Sequence, residues 1–409
     1  MHQPDEFRMT RQLSDTGEFL VARRFYPGIE ILRAVAALMV LVYHAIEHGQ
    51  WASFPQQGPL LLFRMGWLGV DMFLVISGFV IALAVIGGVA KASSLADFRQ
   101  DFATRRWRRI APLYFLTILV FLFMVQPGLL LQAWETLAWH LGTHALFVHN
   151  MTVATHGSIN GPNWSVALEM QFYLLMMLAG PWLVRQRPWH VLALLVGIAL
   201  AWRAATFVLM GGSAANLVEM HIFTTQLPGS LDQFAVGIAL AMVVSSNRRF
   251  AAAVAPGWIR FLGWLVVTVV LVTAAMAVFW PRGDYWPHWP MVVGWRTLVA
   301  LSVGGLIMAA MALPEVLVRL SRPLRYLGEI SFGIYLWHLP VLLTLLGAGM
   351  TGGVPLLVTA LVGTLALASF SWHFVEKPWL QRAPGKSAAG SAGIAPSDKG
   401  RAVPRGIGW

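Results

Sequence analysis

The sequence predicts an all-α membrane protein, a polytopic bundle of about ten transmembrane helices with both termini in the cytoplasm. Three observations carry that prediction. Of the 409 residues, 57% are hydrophobic and 11% charged, with a mean hydropathy of +0.66, whereas a soluble globular domain carries about 25% charge. Ten apolar runs approach the length of about 20 residues needed to cross a ~30 Å hydrocarbon core. Lys and Arg gather in every second connection, the bias that sets orientation in a bilayer.

In chain order, residues 1–28 are polar and mixed in charge. With no apolar core behind a basic start, they predict a cytoplasmic segment rather than a cleaved signal peptide. The apolar runs follow at 29–47, 66–87, 110–125, 165–184 and 189–210, then at 228–245, 258–280, 294–313, 330–348 and 354–374. The run at 110–125 is the shortest. The stretch 128–150 is apolar but interrupted by Glu135, His140 and His144, which predicts an interfacial or re-entrant element instead of an eleventh span. Residues 381–409, rich in Pro, Gly, Ser and Ala, predict a disordered cytoplasmic tail. That leaves 29–380 as one transmembrane domain with no second folded domain behind it.

Of the 29 cations, 24 lie at the two ends or in every second connection, and the 126–164 and 211–227 loops hold none. The net charge of +11 is therefore a matter of topology, and no nucleic-acid partner is expected. The absence of cysteine excludes disulfides, thiolate metal sites and a cysteine nucleophile.

Ionisable residues inside apolar helices are costly and mark sites. In Arg33-Ala-Val-Ala-Ala-Leu-Met-Val-Leu-Val-Tyr-His44 a cation and an imidazole return to nearly the same helix face, roughly 16 Å apart along the axis. Arg33 lies near the cytoplasmic end and His44 toward the outside. Asp71, Glu169, Arg203, Asp232 and His338 fall at depths comparable with His44 on other helices, as a shared polar cavity requires. Arg203 with Asp232 is equally well read as a structural pair.

At the cytoplasmic end, Arg105, Arg106, Arg108 and Arg109 surround Trp107 and lead into the third span. Positive-inside bias alone produces basic loops, but these are contiguous, and Arg106 and Arg109 share a helical face. Guanidinium groups hold phosphate in forked geometry, so the cluster predicts a phosphorylated ligand entering from the cytoplasm.

Other patterns point to structure. His44-Ala-Ile-Glu47-His48 is spelled like an inverted zinc-protease motif but lacks a third ligand. The loop histidines His140, His144, His149 and His156 fit no compact site, so no metal is expected. Gly66, Gly69 and Ser77-Gly78 read as surfaces for close helix packing.

Taken together the motifs resemble the acyltransferase-3 family of integral membrane acyltransferases. The matching stretches are LRAVAALMVLVYH, GWLGVDMFLVISGFVI, RRWRRIAPLY, NWSVALEMQFYLL, ISFGIYLWHLPV and SWHFVEKPWL, in the family's order. The resemblance implies transfer of an acyl group, commonly acetyl from acetyl-CoA, to a hydroxyl of an envelope carbohydrate such as O-antigen or exopolysaccharide, or of a lipid-linked glycan. It places the protein in the bacterial cytoplasmic (inner) membrane, in a standalone form without a C-terminal hydrolase-like domain. The family's helix-one arginine and histidine map onto Arg33 and His44, its Arg-x-x-Arg onto Arg106 and Arg109, and its Trp-Ser-x-x-x-Glu glutamate onto Glu169. Val166-Ala167-Leu168 departs from the commoner Leu-Ser-Val before that glutamate.

The expected mechanism places acyl-CoA phosphates on Arg106 and Arg109, supported by Arg33, Arg105 and Arg108. His44 acts as general base or takes the acyl group itself. Glu169, or failing that Asp71, orients the ring. The competing class is a proton-coupled carrier, which also uses intramembrane ionisable residues; against it, the chain lacks matched broken helices.

Overall fold

The computed structural model describes residues 26–56, 58, 60–211 and 217–381. The predicted N-terminal segment, save its last three residues, and the predicted tail, save Gln381, lie outside these described residues. Within them every regular element is a helix. The main ones are α1 (Pro27–His48), α2 (Leu68–Lys91), α3 (Leu95–Val120), α4 (Trp134–Ala145), α5 (Asn163–Leu178), α6 (Pro188–Leu209) and α7 (Leu217–Thr224). They are followed by α8 (Leu227–Ser246), α9 (Trp258–Phe279), α10 (Arg296–Met311), α11 (Arg322–Glu329), α12 (Ser331–Gly347) and α13 (Val354–Ser371).

Eight helical stretches among the described residues are long and apolar enough to cross a membrane, or nine if the pair α11–α12, bent by 71°, is counted as one span. The remaining predicted span, 165–184, is the 16-residue α5 followed by a single turn at Gly180–Leu183. At 1.5 Å per residue α5 reaches about 24 Å, short of a ~30 Å core. Pro181 supplies no N–H to continue the ladder, and the helix breaks just before it.

The third span begins fifteen residues earlier than its apolar run, at Leu95, where the Ser94 hydroxyl caps the Asp97 amide at 3.1 Å. Phe98, Phe102, Arg106 and Ile110 are all buried and, spaced by four, form one inward stripe. The arginine cluster therefore rides on a helix face instead of in the connection before it. The segment 134–145 is a 12-residue helix, too short to span, and it exposes Trp134, Trp139 and the neighbouring Leu146 as an interfacial element does.

The bundle is organised around α1 and α8. Whereas the peripheral α9 is largely exposed, most of α8 is buried. It packs most extensively on α2 and α6, while α1 contacts α2, α10, α11 and α12. The α2–α8 crossing is close because both helices lack a side chain there. A Cβ on Gly78 would lie 2.2 Å from the Phe234 carbonyl oxygen, and one on Gly237 2.1 Å from that of Val75. Gly66 and Gly69 meet α1 at Met39 and Ala36 in the same way. Gly78→Val is expected to destabilise the protein by about 1–3 kcal/mol, the usual cost of overpacking, read as a lower thermal midpoint in detergent.

The connections alternate between ends. Gly28 abuts Ala310 and Gly328 abuts Glu30 at the start of α1, whereas Gly49 at its far end abuts Gly352. This arrangement puts Arg33 near one face of the bundle and His44 toward the other.

Candidate active site

In the half of the bundle that contains the end of α1, a cavity of about 550 Å³ opens beneath the loops. His44 from α1, Asp71 from α2, Trp164 from α5, His221 from α7, Arg296 from α10 and Tyr335 from α12 all line it. Six helices are needed to place these groups together. None of the predicted phosphate-binding arginines is among the lining residues, nor is Glu169.

The His44 Nδ1 lies 3.1 Å from the Val40 carbonyl oxygen and 3.1 Å from Nε2 of His338. The two imidazoles are tilted by 31°, with centroids 5.0 Å apart. His338 is buried, and its Nδ1 donates to the Tyr335 carbonyl at 2.6 Å. This part of α12 is braced from outside. Pro340 cannot donate to the carbonyl of Leu336, and the loop residue Asn160 supplies the missing donor through Nδ2 at 3.1 Å. The Tyr335 hydroxyl is tied to Ser165 Oγ at 2.7 Å and donates to the Pro162 carbonyl at 3.1 Å.

Glu169 and Asp71 were the expected orienting groups for His44; the ring's side-chain partner is His338 instead. Asp71 shares the cavity, but its carboxylate accepts a bond from Gln233 and lies 3.6 Å from Arg296, which stacks over Trp67. Glu169 sits deeper. It accepts bonds from Ser77 Oγ at 3.0 Å and from the Tyr173 hydroxyl, and Ser77 lies about 9 Å along α2 from Asp71. Arg203 and Asp232 form a fully buried pair at 2.6 Å, completed by Thr297, which is the structural alternative for those two.

On the opposite side of Glu169 lie the arginines. Arg106 is buried, its guanidinium over the rings of Phe102 and Tyr173 at 5.6 and 5.8 Å. Arg109 packs over Phe332 and Trp372 and binds Glu376 Oε2 at 3.1 Å. Arg33 is electrostatically coupled to Glu30, Arg109, Glu169 and Tyr173. Among the described residues the buried Arg106 Nε and Arg109 Nη2 have no hydrogen-bond partner, so the inward pair retains donors for an anion. Arg105 faces away, in an exposed pair with Asp101 at 2.9 Å, and Arg108 is half-buried. The four contiguous arginines thus divide by helical face, with 106 and 109 turned inward.

The acyltransferase domain model of the acyltransferase-3 family matches residues 26–373, most of the chain. The chain belongs to the acyltransferase-3 family. It is 27% identical over 380 residues to YrhL of Bacillus subtilis, covering 87% of this chain and 55% of the relative. It is similarly 27% identical over 391 residues to the peptidoglycan O-acetyltransferase OatA of Listeria monocytogenes, covering 87% and 56%. The O-acetyltransferase OatA of Staphylococcus aureus is 25% identical over 384 residues, covering 88% and 58%. The chain therefore spans a little over half the length of these relatives. No solved structure matches it.

Within this acyltransferase-3 bundle, Arg296 is the site residue that sequence reasoning passed over. Its signal is in the sequence: it is one of the few cations outside the alternate basic connections and the two ends, with Arg33, Arg64, Arg203 and Arg282. His338 was placed by depth, but its partner was not.

The loop histidines form a separate group. His144 stacks on His149 at 3.8 Å and places its Nδ1 2.8 Å from the His140 carbonyl and its Nε2 3.1 Å from the Ser158 carbonyl, of which a neutral ring donates to one, while His156 stacks on Trp164. Among the described residues no three His, Asp or Glu side chains converge as metal ligands would. Burial pushes His144 down to about 4, His149 to about 3 and His156 to about 4. Unfolded, such rings protonate near pH 6.5, so the loop's stability is complete above that pH and declines as pH falls toward 4. At pH 5.5 the expected loss is about 1 kcal/mol per ring. It is measured as hydrogen exchange over residues 134–156 that rises, after correction for intrinsic rates, while α8 stays protected.

Proposed function

We propose that this protein is an O-acyltransferase of the bacterial cytoplasmic membrane that moves an acetyl group from cytoplasmic acetyl-CoA to a hydroxyl of a cell-envelope carbohydrate. One observation carries the reading: unsatisfied inward guanidinium nitrogens on Arg106 and Arg109 lie on one side of Glu169, and an imidazole in the wall of a separate cavity lies on the other. The spacing of Arg33 and His44, roughly 16 Å, separates an anchor for a charged donor head from the place of chemistry.

Arg106 and Arg109, with Arg33, hold the donor's phosphates by charge-assisted hydrogen bonds. His44 removes the proton from the acceptor hydroxyl as its oxygen attacks the thioester carbonyl. The new C–O bond forms, the C–S bond breaks, and the departing thiolate takes the proton from His44 to leave as free CoA. Arg296 and the ring faces of Trp164 and Tyr335 offer polar and stacking contacts to a sugar in the same cavity. A peptidoglycan-type glycan is the proposed acceptor class, by similarity to relatives bearing that name.

The test is purified protein in lipid nanodiscs with radiolabelled acetyl-CoA and soluble peptidoglycan fragments. Glycan labelling with stoichiometric release of free CoA thiol is expected. Absence of both in well-folded protein, over a panel of envelope glycans, overturns the acetyl-CoA reading.

A further inference from the structure

His44 in the cavity wall is backed by a second, buried histidine, His338, in direct contact with it, and the proposed chemistry uses only the first. We infer that His338 is a positioning residue that fixes the tautomer and ring orientation of His44, presenting the bare His44 Nε2 as the proton acceptor. The inference rests on the proposed role of His44, and it follows from the donors and acceptors around the pair.

A carbonyl oxygen can only accept, so the 2.6 Å contact between His338 Nδ1 and the Tyr335 carbonyl places a proton on Nδ1. In neutral His338 the other nitrogen, Nε2, is then a lone pair. That lone pair faces His44 Nδ1 at 3.1 Å. The same Nδ1 lies 3.1 Å from the Val40 carbonyl, a second acceptor. With acceptors on both sides, His44 Nδ1 must carry a hydrogen, shared between them. A neutral His44 so protonated has its other nitrogen, Nε2, unprotonated, which is the form a general base requires.

The acceptor's proton therefore arrives at His44 Nε2 while Nδ1–H stays bonded to His338. The transient positive charge is shared through that bond, and it is discharged when the thiolate takes the Nε2 proton. A hydrogen-bonded orienting group in a catalytic triad works in this way, usually through a carboxylate. Here a neutral ring does the orienting, and it is held rigidly. His338 is 2% exposed, its helix is braced by Asn160 at the Leu336 carbonyl, and Tyr335 is pinned by Ser165 and Pro162. The other ring groups beside the pair are Tyr43 and His48, against His44, and Tyr335, against His338.

Two variants separate orientation from space-filling. His338→Gln carries an amide oxygen to about the position of Nε2 and can still accept from His44; His338→Leu fills similar volume without an acceptor. His338→Leu is expected to lower kcat by about 100-fold with the KM for acetyl-CoA unchanged, and His338→Gln is expected to recover most of that loss. Equal activity of the two variants, whether high or low, overturns the assignment. A second readout does not depend on turnover. Solid-state nitrogen-15 NMR of histidine-labelled full-length protein in bilayers, with His44 assigned from a His44→Asn spectrum, is expected to show His44 protonated at Nδ1 and bare at Nε2. The opposite tautomer in the wild-type protein overturns the inference even if His338→Leu fails to fold. If acetyl-CoA proves not to be the donor, the wild-type protein will lack transfer altogether, while the tautomer measurement still decides the histidine pair.

Discussion

His44→Ala is expected to reduce acyl transfer by about 10²- to 10⁴-fold, the range general-base catalysis supplies, while leaving the apparent affinity for acyl-CoA nearly unchanged. The split follows from distance: the ring lies roughly 16 Å along α1 from Arg33, and none of the arginines proposed to hold the donor's phosphates lines its cavity. The nearest substitute base is His48, one turn further out, whose ring centroid is 5.6 Å from that of His44 and which lines the same cavity. His48→Ala is therefore expected to retain most activity, because His48 lacks the His338 contact that selects the tautomer. Removing the His44 ring also strips His338 Nε2 of its donor, a cost of about 1–3 kcal/mol. A thermal-unfolding control must accompany the kinetics. His44→Gln, which keeps polar bulk but has no basic nitrogen, is expected to be as inactive as His44→Ala and more stable. Full turnover in either variant removes His44 from the chemistry.

The parts of this molecule legible in sequence are those that depend on position along a helix. The inward face of Arg106 and Arg109 follows from their spacing of three, and the pairing of Arg203 with Asp232 from similar depth and opposite charge. What depth along separate helices cannot supply is azimuth and tilt. Glu169, Asp71 and His338 all stood as neighbours of His44 by depth. Only the packing of α1 against α12 turns His338 toward it, while α5 carries Glu169 to Ser77 and Tyr173. Apolar runs locate the buried middle of a helix but miss amphipathic ends. The half of α3 before Ile110 is basic and looks like a connection, although Phe98, Phe102 and Arg106 mark an inward stripe. Conversely, the run at 165–184 concealed a break, since Ala-Gly-Pro counts as apolar while Pro181 interrupts the hydrogen-bond ladder.

The second large effect concerns the proposed donor anchor, where a single substitution misleads. Arg109 and Glu376 pair at 3.1 Å with side chains 12% and 1% exposed. Arg109→Ala leaves a buried carboxylate without its cation, which costs about 3–5 kcal/mol, and a loss of donor binding would then be confounded with damage to the fold. Arg109→Ala/Glu376→Gln removes both charges and is expected to recover most of the lost stability. It is not expected to recover donor affinity, because the guanidinium that would meet a phosphate is still absent. One charge-assisted hydrogen bond is worth about 1.5–3 kcal/mol, so the KM for acyl-CoA is expected to rise roughly 10- to 100-fold in both variants. Glu376→Gln alone moves the other way. It frees Arg109 from a competing anion, and acyl-CoA should bind more tightly than to the wild-type protein. The three variants thus separate the two uses of Arg109. If the double variant regains wild-type affinity for acyl-CoA, Arg109 is a structural partner of Glu376 and the donor's phosphates are held elsewhere.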